Sequence, residues 1–409
     1  MMHAQSQRLV RASWLALTCM AHPAGAQVSL TAIPPFMPAW NGYALDISAD
    51  GSTVVGWMAP VGGQAIGFRW TASGGLESLA AAAGISNSQA RAISADGAVI
   101  VGIGGAGPQP FVVRNGADTI LPGPVPGGSY SYSTGVSGDG SVVVGYGSFS
   151  GQSRGWIWTA ADGYVALAPP PGSTQCWVTT HGISSDGRVI AGYSGNDLLR
   201  WTGGVLEVAP VTGKTSGVMR SGHAVLFATD FGAGRWWDDG RVEMLGTFPG
   251  SWVTWPWASS DDGAIIGGDE IYAPSTGHAW VWTQATGAVS LSDYLSGLGL
   301  DTTGWDLRSV KSISADGRVL AGFGRHEYAP GLFRDEAFVV NLPAGGSGAA
   351  LLTAIGVLGP MRKRGNQPDR RDRFSPTLGT NGRTRHPLAK KNAGLQLETG
   401  TPPVRESDP

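Results

Sequence analysis

The sequence predicts an all-β chain: a seven-bladed β-propeller of four-stranded blades, closed by its own N-terminal strand. Three observations carry this. One turn recurs six times, as Ile47-Ser-Ala-Asp-Gly51, Ile93-Ser-Ala-Asp-Gly97, Val136-Ser-Gly-Asp-Gly140, Ile183-Ser-Ser-Asp-Gly187, Ser259-Ser-Asp-Asp-Gly263 and Ile313-Ser-Ala-Asp-Gly317. Each turn runs into a short apolar strand that ends in glycine, from Val54-Val55-Gly56 to Val319-Leu320-Ala321-Gly322. A second motif follows in every unit, among them Gly67-Phe-Arg-Trp70, Gly155-Trp-Ile-Trp158 and Ala279-Trp-Val-Trp282. Repetition at about 45 residues means small supersecondary units that must stack to bury their faces.

Each element has its reason. Asp-Gly between two strands favours a tight hairpin, because both residues tolerate positive φ. Aromatics at i and i+2, such as Phe68 and Trp70 or Trp156 and Trp158, share one face of a strand and are expected between blades. After six of these motifs a Gly turn opens a fourth strand, as at Gly75-Leu76, Gly163 to Leu167 and Gly287 to Leu291. Val218 to Ala228 is a degenerate copy in which Arg220-Ser221-Gly222-His223 replaces the Asp-Gly turn; counting it gives seven units. The last unit stops at Val340 without a fourth strand, and Val28 to Ile33 offers a spare one. Such closure removes sheet edges that would pair with other chains, so a monomer is expected. An open β-solenoid is the competing architecture, although its rungs are shorter and more uniform.

Composition agrees: 64 glycines and 26 prolines against 14% charged residues indicate many short strands and tight turns. The net charge of −2 hides an asymmetry. Residues 27–361 hold 15 Lys/Arg and 25 Asp/Glu, whereas residues 362–409 hold 11 and 5. An acidic body offers no basic face for phosphates, which argues against nucleic acid as a partner.

Residues 1–26 read as a signal peptide. Arg8 and Arg11 precede an apolar run from Ala12 to Ala21, and Ala24-Gly25-Ala26 supplies small residues before Gln27. Export and a secreted or cell-surface location follow as expectations. Cys19 lies in the removed segment, which leaves Cys176 alone in the mature chain, without a disulfide or metal framework. The propeller domain is assigned to 27–342. Residues 343–364 form an apolar segment with a basic end: the uncharged run Gly345 to Met361 falls short of the roughly 20 residues of a stable span and is followed by Arg362-Lys363-Arg364. A transient membrane association through 345–364 is expected, with a flexible linker as the other reading. The polar tail 365–409 lacks periodicity and is expected to be disordered.

The string Ser-x-Asp-Gly-x-Val-Val-Gly, followed by Ala-Phe/Trp-x-Trp and Gly-Gly-x-x-x-Leu, resembles the HAF family of bacterial extracellular repeats over about residues 42–342. Pro343-Ala344, the small apolar run and the Arg362 cluster resemble a PEP-CTERM sorting signal, without its Pro-Glu-Pro tripeptide and with a tail continuing past the basic cluster. The resemblance implies export to the envelope or matrix of a polysaccharide-producing Gram-negative bacterium, and no activity.

Two functions compete. One is a non-enzymatic scaffold that binds an exopolysaccharide or cell-surface glycan through aromatics before the inner strands: Trp177, Trp252, Trp255 and Trp305, with Trp40 and Tyr130 at similar offsets. Residues recurring at one offset can equally be packing residues. The other is a secreted glycoside hydrolase or lyase acting at the central channel, which needs two carboxylates at a fixed separation or a base beside an Arg clamp. Asp269, Glu270, Asp301, Asp306, Asp335, Glu336, His181 and His278 lie outside the repeat turns but form no recognisable constellation. No cofactor motif occurs. The repeat acids Asp50, Asp96, Asp139, Asp186, Asp262 and Asp316 stand singly, not at i, i+2 and i+4 as in calcium loops, and read as turn residues.

Overall fold

The computed structural model describes residues 27–343, apart from 80–86, 106–107, 115–116, 121–129, 150 and 273–275. The segment 1–26 read as a signal peptide, nearly all of 343–364 and the tail 365–409 lie outside the described residues. Seven four-stranded antiparallel sheets form the blades of a propeller. In blades 1 to 6 the strands run outward in sequence order; blade 3, for example, is Ser131–Val136, Val142–Phe149, Gln152–Thr159 and Gly163–Ala166. The degenerate copy is blade 5, opening with Lys214–Val218 and Ala224–Thr229.

Blade 7 closes the ring as the missing fourth strand required. Ser29–Ile33 pairs antiparallel with Leu332–Asn341, with Ser29 opposite Asn341 and Ile33 opposite Ala337. Ile33 is fully buried and packs with Phe68 and Ile47 of blade 1 and Ala321 and Val339 of blade 7. The closing strand therefore also fills the seam between the first and last blades.

The repeated residues hold their places for identifiable reasons. In all six turns the Ser Oγ donates to the Asp Oδ1 at 2.6–2.7 Å. The same carboxylate oxygen accepts the backbone N–H two residues on at 2.9–3.0 Å. The Ser Oγ in turn accepts the N–H five residues on. These serines are buried, so their hydroxyls need such partners. The turn glycine sits at φ between 65° and 74°, where a side chain is strained. The acids are thus turn residues, as their single spacing indicated.

The glycine ending the second strand has a different cause. Its inner-strand partner carries a bulge, which brings two backbones together: a Cβ on Gly145 would stand 2.0 Å from the Tyr132 carbonyl oxygen and 2.5 Å from the Trp156 ring. The ring that needs this space is the first aromatic of the third-strand motif, and Phe68, Phe111, Trp156, Trp280 and Phe338 are all fully or almost fully buried. Blade 5 exchanges the pair, with Phe227 on the second strand opposite Gly234 on the third. The volume is conserved across the sheet although the motif is broken.

A helix that the repeats did not announce, Leu291–Gly297, follows blade 6. Ser290 caps it by accepting the Asp293 N–H, and its buried Leu291, Tyr294 and Leu295 join the core of blades 6 and 7. Cys176 is a free buried thiol whose pKa is raised by burial.

Candidate functional site: the mouth of the central channel

The two ends of the channel are built differently. At the Asp-Gly end, the residue before each turn Asp bonds to its counterpart in the next blade. N–H donors of Ala49, Ala95, Gly138 and Ser185 reach the carbonyls of Ala95, Gly138, Ser185 and Arg220, and those of Asp261 and Ala315 reach Ala315 and Ala49, all at 2.8–2.9 Å. This belt of backbone bonds is open only between Arg220 and Asp261, the two positions where a long or charged side chain replaces a small one.

Arg220 crosses from that gap to blade 1, where its guanidinium bonds the Ile47 carbonyl and approaches Asp46 Oδ1 at 3.3 Å. Asp46 also accepts from the N–H groups of Ile47 and Ile93 and from Ser312 Oγ, at 2.7–2.9 Å. His181 Nε2 stands 3.6 Å from the same carboxylate, on a residue at φ 51° inside an irregular strand. Burial lowers the pKa of His181 despite Asp46, so its imidazole is neutral at pH 7. The cavity among these groups measures about 40 Å³, about the volume of one water molecule.

The opposite end is wide. A cleft of about 490 Å³ is lined by Tyr146, Trp177, Tyr193, Trp255, Trp257, Arg91 and Lys214, with threonines between them. The inner strands start here, and the register explains why aromatics gather. The residue after each second-strand glycine lies beside the inner-strand residue that opens the mouth. Tyr146 is thereby opposite Tyr132, Tyr193 opposite Trp177, and Trp57 opposite Tyr43. Tyr132 and Tyr146 stack at 5.1 Å, Trp177 and Tyr193 at 5.5 Å, and Trp255 and Trp257 at 5.3 Å. All six rings are half-buried. Lys311, whose ammonium is held by Asp269 at 3.0 Å, lies over Trp257 at 3.9 Å. Burial lowers the Lys311 pKa, opposed by Asp269.

Of the four Trp residues singled out in the sequence, Trp177 and Trp255 meet in this cleft. Trp305 does not. It stacks on His326 at 4.1 Å and packs edge-on against Phe338, and His326 and Arg334 both hydrogen-bond the buried Glu336. Trp252 is 67% exposed just before its inner strand and has no ring contact among the described residues. Trp40 and Tyr130 pack on Phe36 and Tyr132. Sequence reading missed Tyr146, Tyr193, Trp257, Arg91 and Lys214. An available signal was the residue after the second-strand glycine, aromatic in four blades as Trp57, Tyr146, Tyr193 and Phe323.

The carboxylates and histidines considered as catalytic groups are scattered. Asp269 holds Lys311 and Ser309, Asp335 holds Arg308 and Tyr43, and Asp306 pairs with Arg308 on the surface. His278 lies 4.0 Å from Glu270, whose pKa burial raises to about 7. Among the described residues no three His, Cys, Asp or Glu side chains converge to hold a metal ion.

No protein-family model and no curated protein matches the chain, so the likeness to HAF repeats rests on its motif string. Solved propellers do match. An oligogalacturonate lyase in complex with manganese aligns over 78% of this chain and 96% of its own, at 12% identity and a TM-score of 0.50. The oligogalacturonate lyase of Vibrio parahaemolyticus covers 78% and 98%, at 10% identity and 0.50. A putative TolB from Agrobacterium tumefaciens covers 77% and 98%, at 15% and 0.39. At such identities the likeness shows the propeller fold alone.

Proposed function

We propose that this chain is an exported, non-enzymatic propeller of the cell surface or extracellular matrix that binds carbohydrate in the aromatic mouth of its channel. The observation that carries the reading is the single cleft walled by half-buried Tyr146, Trp177, Tyr193, Trp255 and Trp257. Ring faces held at fixed positions by stacking, across strands for Tyr146, Trp177 and Tyr193 and along one strand for Trp255 and Trp257, offer flat, amphipathic platforms at low entropic cost. The apolar C–H face of a sugar fits such a platform, and its hydroxyls can reach the threonines of the wall. Export is supported by the arginines, apolar run and small residues before Gln27; N-terminal sequencing of secreted protein should begin at Gln27.

The lyase or hydrolase reading has one observation in its favour, the Asp46, His181 and Arg220 cluster with His181 at positive φ, since strained residues gather at working sites. Against it, the Asp46 oxygens are already engaged by two backbone N–H groups, a serine and Arg220. The cavity there is also too small for a sugar ring. A glycan array with the full exported protein tests the proposal, followed by product analysis on each bound glycan. Binding without cleavage is expected. Cleavage abolished by His181→Ala would overturn it.

A further inference from the structure

The mouth is an exception in an acidic molecule. Residues 27–361 carry 25 Asp/Glu against 15 Lys/Arg, yet no carboxylate lines the cleft. None lines the adjoining groove of about 520 Å³, which shares Trp177, Tyr193 and Lys214 with it. Two cations face this acid-free surface. Arg91 of blade 2 donates one terminal nitrogen to Gln89 Oε1 at 3.1 Å, and its buried Nε has no hydrogen-bond partner. Lys214 of blade 5 donates to the Gly195 carbonyl and lies 4.7 Å over the Tyr193 ring. Neither has a carboxylate partner among the described residues.

Four other buried or half-buried cations of the ring are neutralised, whereas Arg114, which bonds the Gly140 carbonyl, and Arg154 lie outside this cleft. Lys311 has Asp269, Arg220 has Asp46, Arg200 has Glu207 and Arg235 has Glu243. Internal loop segments 80–86, 106–107, 115–116, 121–129, 150 and 273–275 contain no Asp or Glu in their sequence, and the segment after Met361 has an excess of Lys/Arg. A partly desolvated cation without a counter-ion costs free energy that an arriving anion restores. Charge-assisted bonds from Arg and Lys to a carboxylate are among the strong ones.

Resting on the carbohydrate reading above, we infer that the ligand is an acidic glycan, a chain of uronic acid residues. Its sugar rings lie on Trp177, Tyr193 and Trp255, and its carboxylates pair with Arg91 and Lys214. The shared Trp177, Tyr193 and Lys214 let one chain run from the channel mouth into the outer groove, so an oligomer is held and a monosaccharide is not.

Calorimetric titration of the full exported protein tests this with three probes: a four-residue oligouronate, the same oligomer with its carboxyls reduced to alcohols, and a sulfated neutral oligosaccharide. The oligouronate is expected to bind at least tenfold more tightly than the reduced oligomer, with affinity falling as NaCl rises. Lys214→Gln and Arg91→Gln should each weaken oligouronate binding by about tenfold and so narrow its margin over the reduced oligomer. Lys214→Arg should restore most of the loss. Lys214 is half-exposed, so its variant stays informative if Arg91→Gln fails to fold. Equal affinity for the charged and reduced oligomers overturns the acidic assignment and leaves the carbohydrate reading standing. Preference for the sulfated probe overturns the carboxylate pairing. Binding of none of the three overturns the carbohydrate reading itself.

Discussion

Ring closure rests on one short strand, and Ile33→Ala measures its share. Ile33 is fully buried between blades 7 and 1, surrounded by Ile47, Met58, Phe68 and Val339. Truncating a buried Ile to Ala costs roughly 2–5 kcal/mol through lost transfer energy and the cavity left behind. The site is framed by two sheets that cannot collapse independently, so we expect about 3–4 kcal/mol. Unfolding entropy near 2.1 cal/mol/K per residue, over the roughly 300 residues of the ring, amounts to about 0.6 kcal/mol/K. The expected fall in melting temperature is therefore about 5–6 °C by scanning calorimetry. Thr31, two residues earlier on the same strand but exposed, is the control, and Thr31→Ala should move the midpoint by less than about 1 °C. Deleting residues 27–34 should do more, because it bares the edge of Leu332–Asn341 to other chains and should produce aggregates on size exclusion. Equal melting temperatures for Ile33→Ala and Thr31→Ala would refute the closure.

Further outcomes follow from the same structure. Gly145→Ala should lower stability by at least about 2 kcal/mol in urea titration, because its Cβ would fall 2.0 Å from the Tyr132 carbonyl oxygen. Asp50, Asp96, Asp139 and Asp186 have pKa values lowered first by their Ser hydroxyls. A depressed carboxylate stabilises above its unfolded pKa near 3.9, and that contribution is lost as pH falls through the folded value. Urea midpoints should therefore drop below about pH 4, less steeply in Asp139→Asn. Glu270 has the opposite sign: burial raises its pKa to about 7, so stability is lost as pH rises toward and through that value. Glu270→Gln should melt like the parent near pH 4 and higher than the parent at pH 8.

The architecture was legible because the turn and strand-end glycines answer to local backbone needs, which the sequence repeats openly. The closing strand was readable from a deficit, the unpaired end of the last unit. Helix Leu291–Gly297 escaped notice, since seven residues show too little periodicity, although Ser290 followed by Asp293 is a capping pair. The site was half legible. Trp177 and Trp255 were found by their offset before the Asp-Gly turns, although both lie on the inner strands and not in the loops that precede them, and their partners Tyr193 and Trp257 were not found. Register decides that Tyr193 faces Trp177, and register is set by the bulge between Val178 and Ile183. Trp305 has the same strand position as Trp177, yet the blade 7 hairpin extends past it and supplies His326 as a stacking partner. The belt of backbone bonds leaves almost no trace in residue types beyond the small residues Ala49, Ala95, Gly138, Ser185 and Ala315.

The central claim is that the aromatic mouth binds glycan, and calorimetric titration of Trp177→Ala against the parent, with the oligouronate as probe, tests it most directly. Losing this platform should weaken binding by about 1–3 kcal/mol, by analogy with base stacking on aromatic side chains. Trp252→Ala, on an exposed ring outside the cleft, should leave the affinity unchanged. Parent-like affinity in Trp177→Ala, or a loss confined to Trp252→Ala, would contradict the account.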